Sequence, residues 1–298
     1  MKFDVVLGNP PYQEKNKTLQ NRLWMQFVDK AFEVVSDSGY VAFVTPSNWA
    51  TTPTLYDKWF VSKNPIVINI HECGKHFLGI GITFSYYIVQ NSPPTNDLVA
   101  FTTEKYSFNA QLPAMAIGTD PSPITVSIYN KVLQNTQDKI KSKKSNAHYS
   151  YRAGGKISDT ETPVFKYKVL SSPGSSKKAE SWLWGNHVAL DQTGPRVVTA
   201  LYPGWWKTMI VTTDLQTTDN FVHFYANTIE QAQTLKEVLL SKLYLFLVFS
   251  LNSTRGIKAW TIRQLPAVDL SRSWTDEELY NHFGLTPDEI KLIEETVK

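Results

Sequence analysis

Apolar residues near the start of the chain follow two spacings that alternate. Val5 to Leu7 form a short continuous apolar run. Leu23, Trp24, Phe27, Val28, Ala31, Phe32 and Val35 then recur at helical intervals on one face, and Gly39 is placed to close that helix as a C-cap. Tyr40 to Thr45 (YVAFVT) is β-rich and ends at Pro46. Ile66 to Glu72 (IVINIHE) and Ile82 to Gln90 (ITFSYYIVQ) are two further β-rich runs, each followed by polar or glycine residues. Strand and helix in alternation predict an α/β fold, part of a doubly wound sheet.

The pattern changes at Asn91 to Asp97 (NSPPTND), which predicts a first domain over residues 1–97 and a second, mixed α+β domain over residues 98–298. Short strand-like pieces rich in Thr, Ser, Pro, Gly and aromatics run to about residue 228, with one helical stretch near Thr125 to Gln137. Ile229 to Leu251 then reads as one long helix. Two short helices follow in the tail, where Thr275 to Glu278 and Thr286 to Glu289 both have the Thr-x-x-Glu form of a capping box.

Composition excludes disorder: of 298 residues, 42% are hydrophobic and 13% aromatic, enough for a large core. Thirty basic against 27 acidic residues leave a net charge of +3, so a nucleic-acid partner would have to meet a local basic face. The single cysteine, Cys73, rules out an intrachain disulfide, argues against a cysteine-based zinc site and fits a reducing cytoplasm. Asp4 and the Gly8 to Pro11 stretch interrupt any signal-peptide pattern. The most apolar run, Val238 to Leu251, contains Lys242 and is shorter than the roughly 20 residues of a membrane span. It predicts a buried core helix and no membrane partner.

The chemistry concentrates at Asn9-Pro10-Pro11-Tyr12, directly after the first strand. Two consecutive prolines remove two backbone donors and stiffen the loop, so its carbonyls project as fixed acceptors. Together with the Asn9 amide they form a neutral acceptor cluster, and Tyr12 adds an aromatic face. That set suits a planar substrate carrying an amino group. The lone pair of an exocyclic adenine amine is delocalised into the ring, and acceptors for both its N–H bonds favour a pyramidal, nucleophilic nitrogen. A base inside a duplex must be flipped out to reach such a loop, and stacking on Tyr12 would hold it at about 1 to 3 kcal/mol per base.

Asp4 to Tyr12 (DVVLGNPPY) resembles motif IV of the S-adenosylmethionine-dependent amino-methyltransferases, specifically the γ-class N6-adenine DNA methyltransferases of restriction-modification systems. Leu23 to Trp49 resembles that family's helix, glycine turn, strand and Pro-x-x-Trp segment. Ile68 to Gln90 resembles its next strand, Phe-x-Gly turn and last hairpin, and Arg263 to Val297 resembles the tail of Eco57I-type members. The resemblance implies the C-terminal part of a Rossmann-like methyltransferase sheet, followed by a DNA target-recognition domain. It implies metal-free methyl transfer to adenine N6 in a short duplex site, with Asn9, Pro10, Pro11 and Tyr12 as catalytic residues. Asn9 Oδ1 and the Pro10 carbonyl would take the two amine N–H bonds, while Trp49 and Tyr86 or Tyr87 are candidate walls of the base pocket. Glutamine and ribosomal RNA methyltransferases share the loop, so an RNA or protein-glutamine methyltransferase is an alternative. A recognition subunit without chemistry, or a decayed methyltransferase, is another.

Family members begin with a strand and a Phe-x-Gly-x-Gly turn that cradles the cofactor, and nothing before Asn9 supplies one. Phe77-Leu78-Gly79-Ile80-Gly81 matches the letters, but a β-rich run rather than a helix follows it. The expectation is a chain carrying the substrate side of the active site: a fragment, a decayed gene, or a subunit whose S-adenosylmethionine-binding half comes from a second polypeptide or domain. Alone it would expose an apolar strand edge and bind S-adenosylmethionine weakly or not at all.

For double-stranded DNA, the densest basic segment is Lys139 to Lys156, interleaved with Tyr149 and Tyr151. Lys143, Lys144, Arg152 and Lys156 are its candidate phosphate contacts. Lys207, Arg255 and Lys258 lie near aromatics, and Arg255 is the first choice for a base contact. Asp276, Glu277, Glu278 and Asp288 would repel DNA and read as structural. His71, Glu72 and His76 lack a recognised zinc spacing, and Glu289-x-Lys291 lacks the upstream acid of a nuclease site.

Overall fold

The first apolar run becomes strand β1 (Phe3–Gly8) and the apolar helical face becomes α1 (Leu23–Val34). The computed structural model describes residues 2–12, 23–77, 83–95, 97–114, 117–118, 121–134, 138–145, 156–174, 179–251 and 256–297. It is a mixed α/β protein with three sheets, divided into two compact units, Met1–Asn135 and Thr136–Lys298.

In the first unit, β1 and α1 are followed by β2 (Val35–Pro46), α2 (Pro53–Tyr56), β3 (Asn64–Ile70), β4 (Phe84–Gln90), β5 (Val99–Thr102), β6 (Ser107–Ala110) and α3 (Pro123–Tyr129). The strands form one sheet in the order β1-β2-β4-β3-β5-β6. β1 is parallel to β2 and β3 to β5, whereas β4 runs antiparallel between β2 and β3. One face of this sheet packs on α1 and the helical turns after β2, through Trp24, Val28, Val41, Trp49, Phe60 and Tyr87. On edge strand β1 the alternate residues Phe3, Val5 and Leu7 are 47%, 57% and 80% exposed, so the expected apolar strand edge is present.

Two local readings change. Gly39 is not a helix cap: α1 stops at Val34 and Val35 already belongs to β2. The left-handed residue is Ser38, at φ +62°. Gly39 serves close approach instead, because a Cβ there would lie 2.8 Å from the Asp4 carbonyl oxygen across the β1–β2 pair. The change of composition at Asn91–Asp97 also falls inside the first compact unit, since β5 and β6 extend the same sheet by pairing onto β3.

The second unit holds β7 (Ser142–Lys144), β8 (Ile157–Ser158), β9 (Tyr167–Ser172), β10 (Ser181–Gly185), β11 (Arg196–Ala200), β12 (Ile210–Thr212), β13 (Gln216–Thr217) and β14 (Phe221–Tyr225). They form two four-stranded sheets, β13-β9-β10-β8 and β12-β11-β14-β7. A buried polar cluster involves strands of both. Arg196 is fully buried, and its guanidinium donates to the carbonyls of Gln192, Gly194, Thr213 and Leu215 at 2.5 to 2.7 Å and to His223 Nδ1 at 3.1 Å. Because Nδ1 accepts, the imidazole proton sits on Nε2, which lies 2.9 Å from Ser145 Oγ and 2.8 Å from Thr217 Oγ1.

The expected long helix is broken into α4 (Ile229–Leu240) and α5 (Lys242–Ser250). Ser241 between them is extended at ψ 154°, its hydroxyl donates to the Val238 carbonyl, and Asp276 accepts the Lys242 N–H at 2.8 Å. A side chain 34 positions away therefore caps the second helix. α5 is buried on nearly every side, as its composition requires. No described helix is long and apolar enough to cross a membrane. After α6 (Ala259–Arg263), helices α7 (Asp276–His282) and α8 (Pro287–Thr296) open on complete capping boxes at Thr275 and Thr286.

Candidate functional site

β1 delivers the Asn-Pro-Pro-Tyr loop to the carboxyl ends of the parallel pair β1–β2, the edge where open α/β sheets bind ligands. Gly8 permits the final step: a Cβ there would sit 3.2 Å from the Phe43 ring. Beyond it Asn9 is exposed, Pro10 is buried and Tyr12 is half-buried. The loop is braced internally, because the Tyr12 hydroxyl donates to Asn9 Oδ1 at 2.5 Å. A carbonyl oxygen has two lone pairs, so this bond orients the amide and leaves one acceptor direction for a ligand N–H. Among the described residues no hydrogen bond reaches the Pro10 carbonyl. Burial raises the Tyr12 phenol, its bond to Asn9 works against that rise, and nearby Cys73 adds to it. Tyr12 is thus a phenol at neutral pH and keeps its donor role.

The ring of Tyr12 lies 5.0 Å from Phe84, tilted at 43°, and Phe84 stacks on Phe77 at 4.1 Å. This aromatic set differs from the one expected from the sequence. Trp49 and Tyr87 are fully buried: Trp49 stacks on Phe60 at 4.2 Å and donates to Ser85 Oγ at 2.7 Å, and Tyr87 meets Trp49 edge-on at 5.7 Å. As placed, neither presents a face to a ligand. Tyr86 pairs with Val44 on the opposite face of β4 and is half-buried. Phe77 and Phe84 lay inside the runs quoted above, but only the pairing of Phe84 with Pro46 brings that end of β4 to the loop.

The basic candidates fare unevenly. Arg152 and Arg255 lie outside the described residues. Lys143, on β7, is committed to an ion pair with Asp191 at 2.8 Å, which also raises its pKa. Its charge is therefore compensated within the protein, a correction to its reading as a phosphate contact. Lys144 is exposed on the same strand, Lys207 is exposed, and Lys156 and Lys258 are half-buried. Of the Phe-x-Gly-x-Gly turn only Phe77 is described. It follows the one-turn segment Glu72–His76 rather than a strand, so the described residues do not form a cofactor cradle there. Glu72 is engaged by Lys75 and by Asn69 Nδ2, and among the described residues no group of three or more His, Cys, Asp or Glu is placed to hold a metal.

Residues 1–77 match the model of the Eco57I restriction-modification methylase family. No curated protein matches the chain. Solved structures with partial likeness include the type IIL restriction-modification enzyme MmeI in complex with DNA, at 9% identity and a TM-score of 0.43, over 88% of this chain and 45% of that one. The DrdV–DNA complex gives 10% identity and 0.42, over 98% and 44%. A modification subunit of a type I restriction enzyme from Vibrio vulnificus gives 20% identity and 0.27, over 34% and 25%. The chain thus spans about a quarter of the length of that subunit and under half of the other two.

Proposed function

Starting from the methylase match of residues 1–77, we propose that this chain supplies the substrate side of adenine-N6 methylation in duplex DNA, as part of the modification component of a restriction-modification system. The observation that carries the reading is the loop itself. Asn9 Oδ1 is aimed by Tyr12 and the Pro10 carbonyl is fixed by its ring, so two acceptors stand at the end of β1 beside a Tyr12–Phe84–Phe77 aromatic wall. A flipped adenine stacked on that wall would offer its two amine N–H bonds to the two acceptors. Preorganised acceptors of this kind act on the barrier rather than on binding alone.

S-adenosylmethionine, which the methylase family implies, would supply the methyl group. The described residues do not fit a cradle for it, so the role assigned here is to hold and orient the base. The exposed Phe3, Val5 and Leu7 on edge strand β1 support a further domain or polypeptide adding to the sheet on that side and carrying the cofactor. The second unit is assigned to DNA recognition, with Lys144, Lys156, Lys207 and Lys258 as described phosphate candidates and Arg152 and Arg255 beyond them.

The test combines this chain with a polypeptide carrying the Gly-rich half and measures methyl transfer to duplex DNA. Asn9→Ala is expected to lower the rate by about 100-fold or more while duplex binding in a gel shift stays within about twofold. Transfer at near wild-type rate by Asn9→Ala refutes the assignment, and transfer to RNA or to a glutamine peptide in preference to DNA replaces the substrate.

A further inference from the structure

Asn9 and Pro10 account for the amino group of a bound base, and the rest of its ring needs partners too. Three buried polar atoms without a hydrogen-bond partner among the described residues flank Phe84: Ser47 Oγ, Asn48 Oδ1 and His71 Nδ1. Ser47 follows Pro46, the residue paired with Phe84 across β2 and β4, and its N–H donates to the Thr83 carbonyl at 3.0 Å. From β3, on the other side of β4, the His71 N–H donates to the Phe84 carbonyl at 3.0 Å. Unpaired groups on both neighbouring strands therefore converge on Phe84, against which Tyr12 packs. Ser47 is only 5% exposed, yet Thr83 across from it is exposed, so this edge opens to solvent.

Such a concentration is costly for a folded chain. A buried polar atom without a partner loses its water and gains nothing, and native proteins keep few of them. Two residues on from Ser47, Trp49 Nε1 does find Ser85 Oγ, so pairing is the local rule. His71 also holds φ +70°, and only one other described non-glycine residue has a positive φ. Strain and unpaired polarity at a ligand-binding strand edge are the marks of a site shaped for a guest rather than for its own stability.

We propose that Ser47, Asn48 and His71 form the polar wall of the base pocket and hydrogen-bond the ring nitrogens of the base whose amino group Asn9 holds. The inference rests on the base-holding reading of the loop. Ring nitrogens N1 and N7, which flank the adenine amine, only accept hydrogen bonds. The Ser47 hydroxyl rotates to donate, His71 donates in its Nδ1–H tautomer, and the Asn48 amide donates after a half-turn that exchanges Oδ1 and Nδ2. A pocket built this way rejects a ring lacking one of those nitrogens, because a buried donor is then left unpaired.

The full chain is titrated by calorimetry with adenosine, 1-deazaadenosine and 7-deazaadenosine, alongside Ser47→Ala, Asn48→Ala, His71→Phe and Asn9→Ala. Adenosine is expected to bind at least tenfold tighter than one of the deaza analogues. Ser47→Ala or His71→Phe should weaken adenosine about tenfold without weakening that analogue. The Ser47→Ala melting temperature without ligand should be unchanged or raised, because the lost hydroxyl had no partner to leave behind. Equal binding of all three nucleosides, or loss of several degrees of melting temperature in Ser47→Ala, overturns the polar wall. If Asn9→Ala abolishes binding while the other variants bind like the wild type, the wall falls and the loop assignment stands. If ring-nitrogen discrimination survives in Asn9→Ala at full affinity, the loop assignment falls and the wall stands. No adenosine binding at millimolar concentration overturns both.

Discussion

Arg196 in the second unit and Ser47 in the first are both buried polar side chains at an end of a β-strand, and the protein treats them in opposite ways. Arg196 carries a full charge at zero exposure, yet its guanidinium makes five hydrogen bonds, to four carbonyls and to His223. Ser47 is a neutral hydroxyl with nothing to bond, and Asn48 and His71 share its state. The more expensive group is the one fully satisfied. Burial of a polar atom therefore does not mark function here; burial without a partner does, since folding alone gives no reason to keep it.

The contrast breaks most sharply at Arg196. Arg196→Met should destabilise the chain by about 4 kcal/mol, because carbonyls and His223 Nδ1 are left unpaired, and Arg196→Lys should recover little of it because an ammonium lacks the planar fork. The measurement is the shift of the urea midpoint at constant slope, and a loss below about 1 kcal/mol would show the network to be dispensable.

Acid probes the same cluster. Burial, with Arg196 adding to it, pushes His223 down from 6.5 to about 3. The unfolded chain takes up a proton below pH 6.5 that folded His223 refuses until about pH 3, so its contribution is whole above 6.5 and is lost as pH falls towards 3. Between pH 7 and pH 5 the expected loss is roughly 2 kcal/mol. His223→Gln, which can still accept from Arg196 and donate onward, should flatten that slope; an unchanged slope would move the titration to other groups.

The first unit should respond in the reverse sense. His71→Gly relieves the positive φ and is expected to raise stability by about 1 kcal/mol while binding of the base weakens. Ser47→Ala should change stability by no more than about 0.5 kcal/mol. Thermal melts with and without adenosine read both, and a clear stability loss in either variant would erase the distinction between the two regions.

Short-range chemistry was the legible part of the fold. The Thr275 and Thr286 capping boxes form because each needs only residues three apart, and the burial of α5 follows from its apolar composition. The break at Ser241 was not legible, since the group that caps α5 is Asp276, distant in sequence. Nor was Gly39, whose need for a bare Cα comes from the Asp4 carbonyl on another strand. Lys143 looked like a free cation until Asp191 was found beside it.

The candidate site divides along the same line. By itself the sequence determined the Asn9-Pro10-Pro11-Tyr12 loop and its acceptors, because two prolines dictate their own geometry whatever surrounds them. Which aromatic rings meet that loop was decided by tertiary structure. Phe84, Tyr86 and Tyr87 are indistinguishable as β-strand aromatics, and only the register that pairs Phe84 with Pro46 turns Phe84 towards Tyr12 and Tyr87 into the core. A strand's two faces exchange with a shift of one residue, and that shift is set by partners far away in the chain.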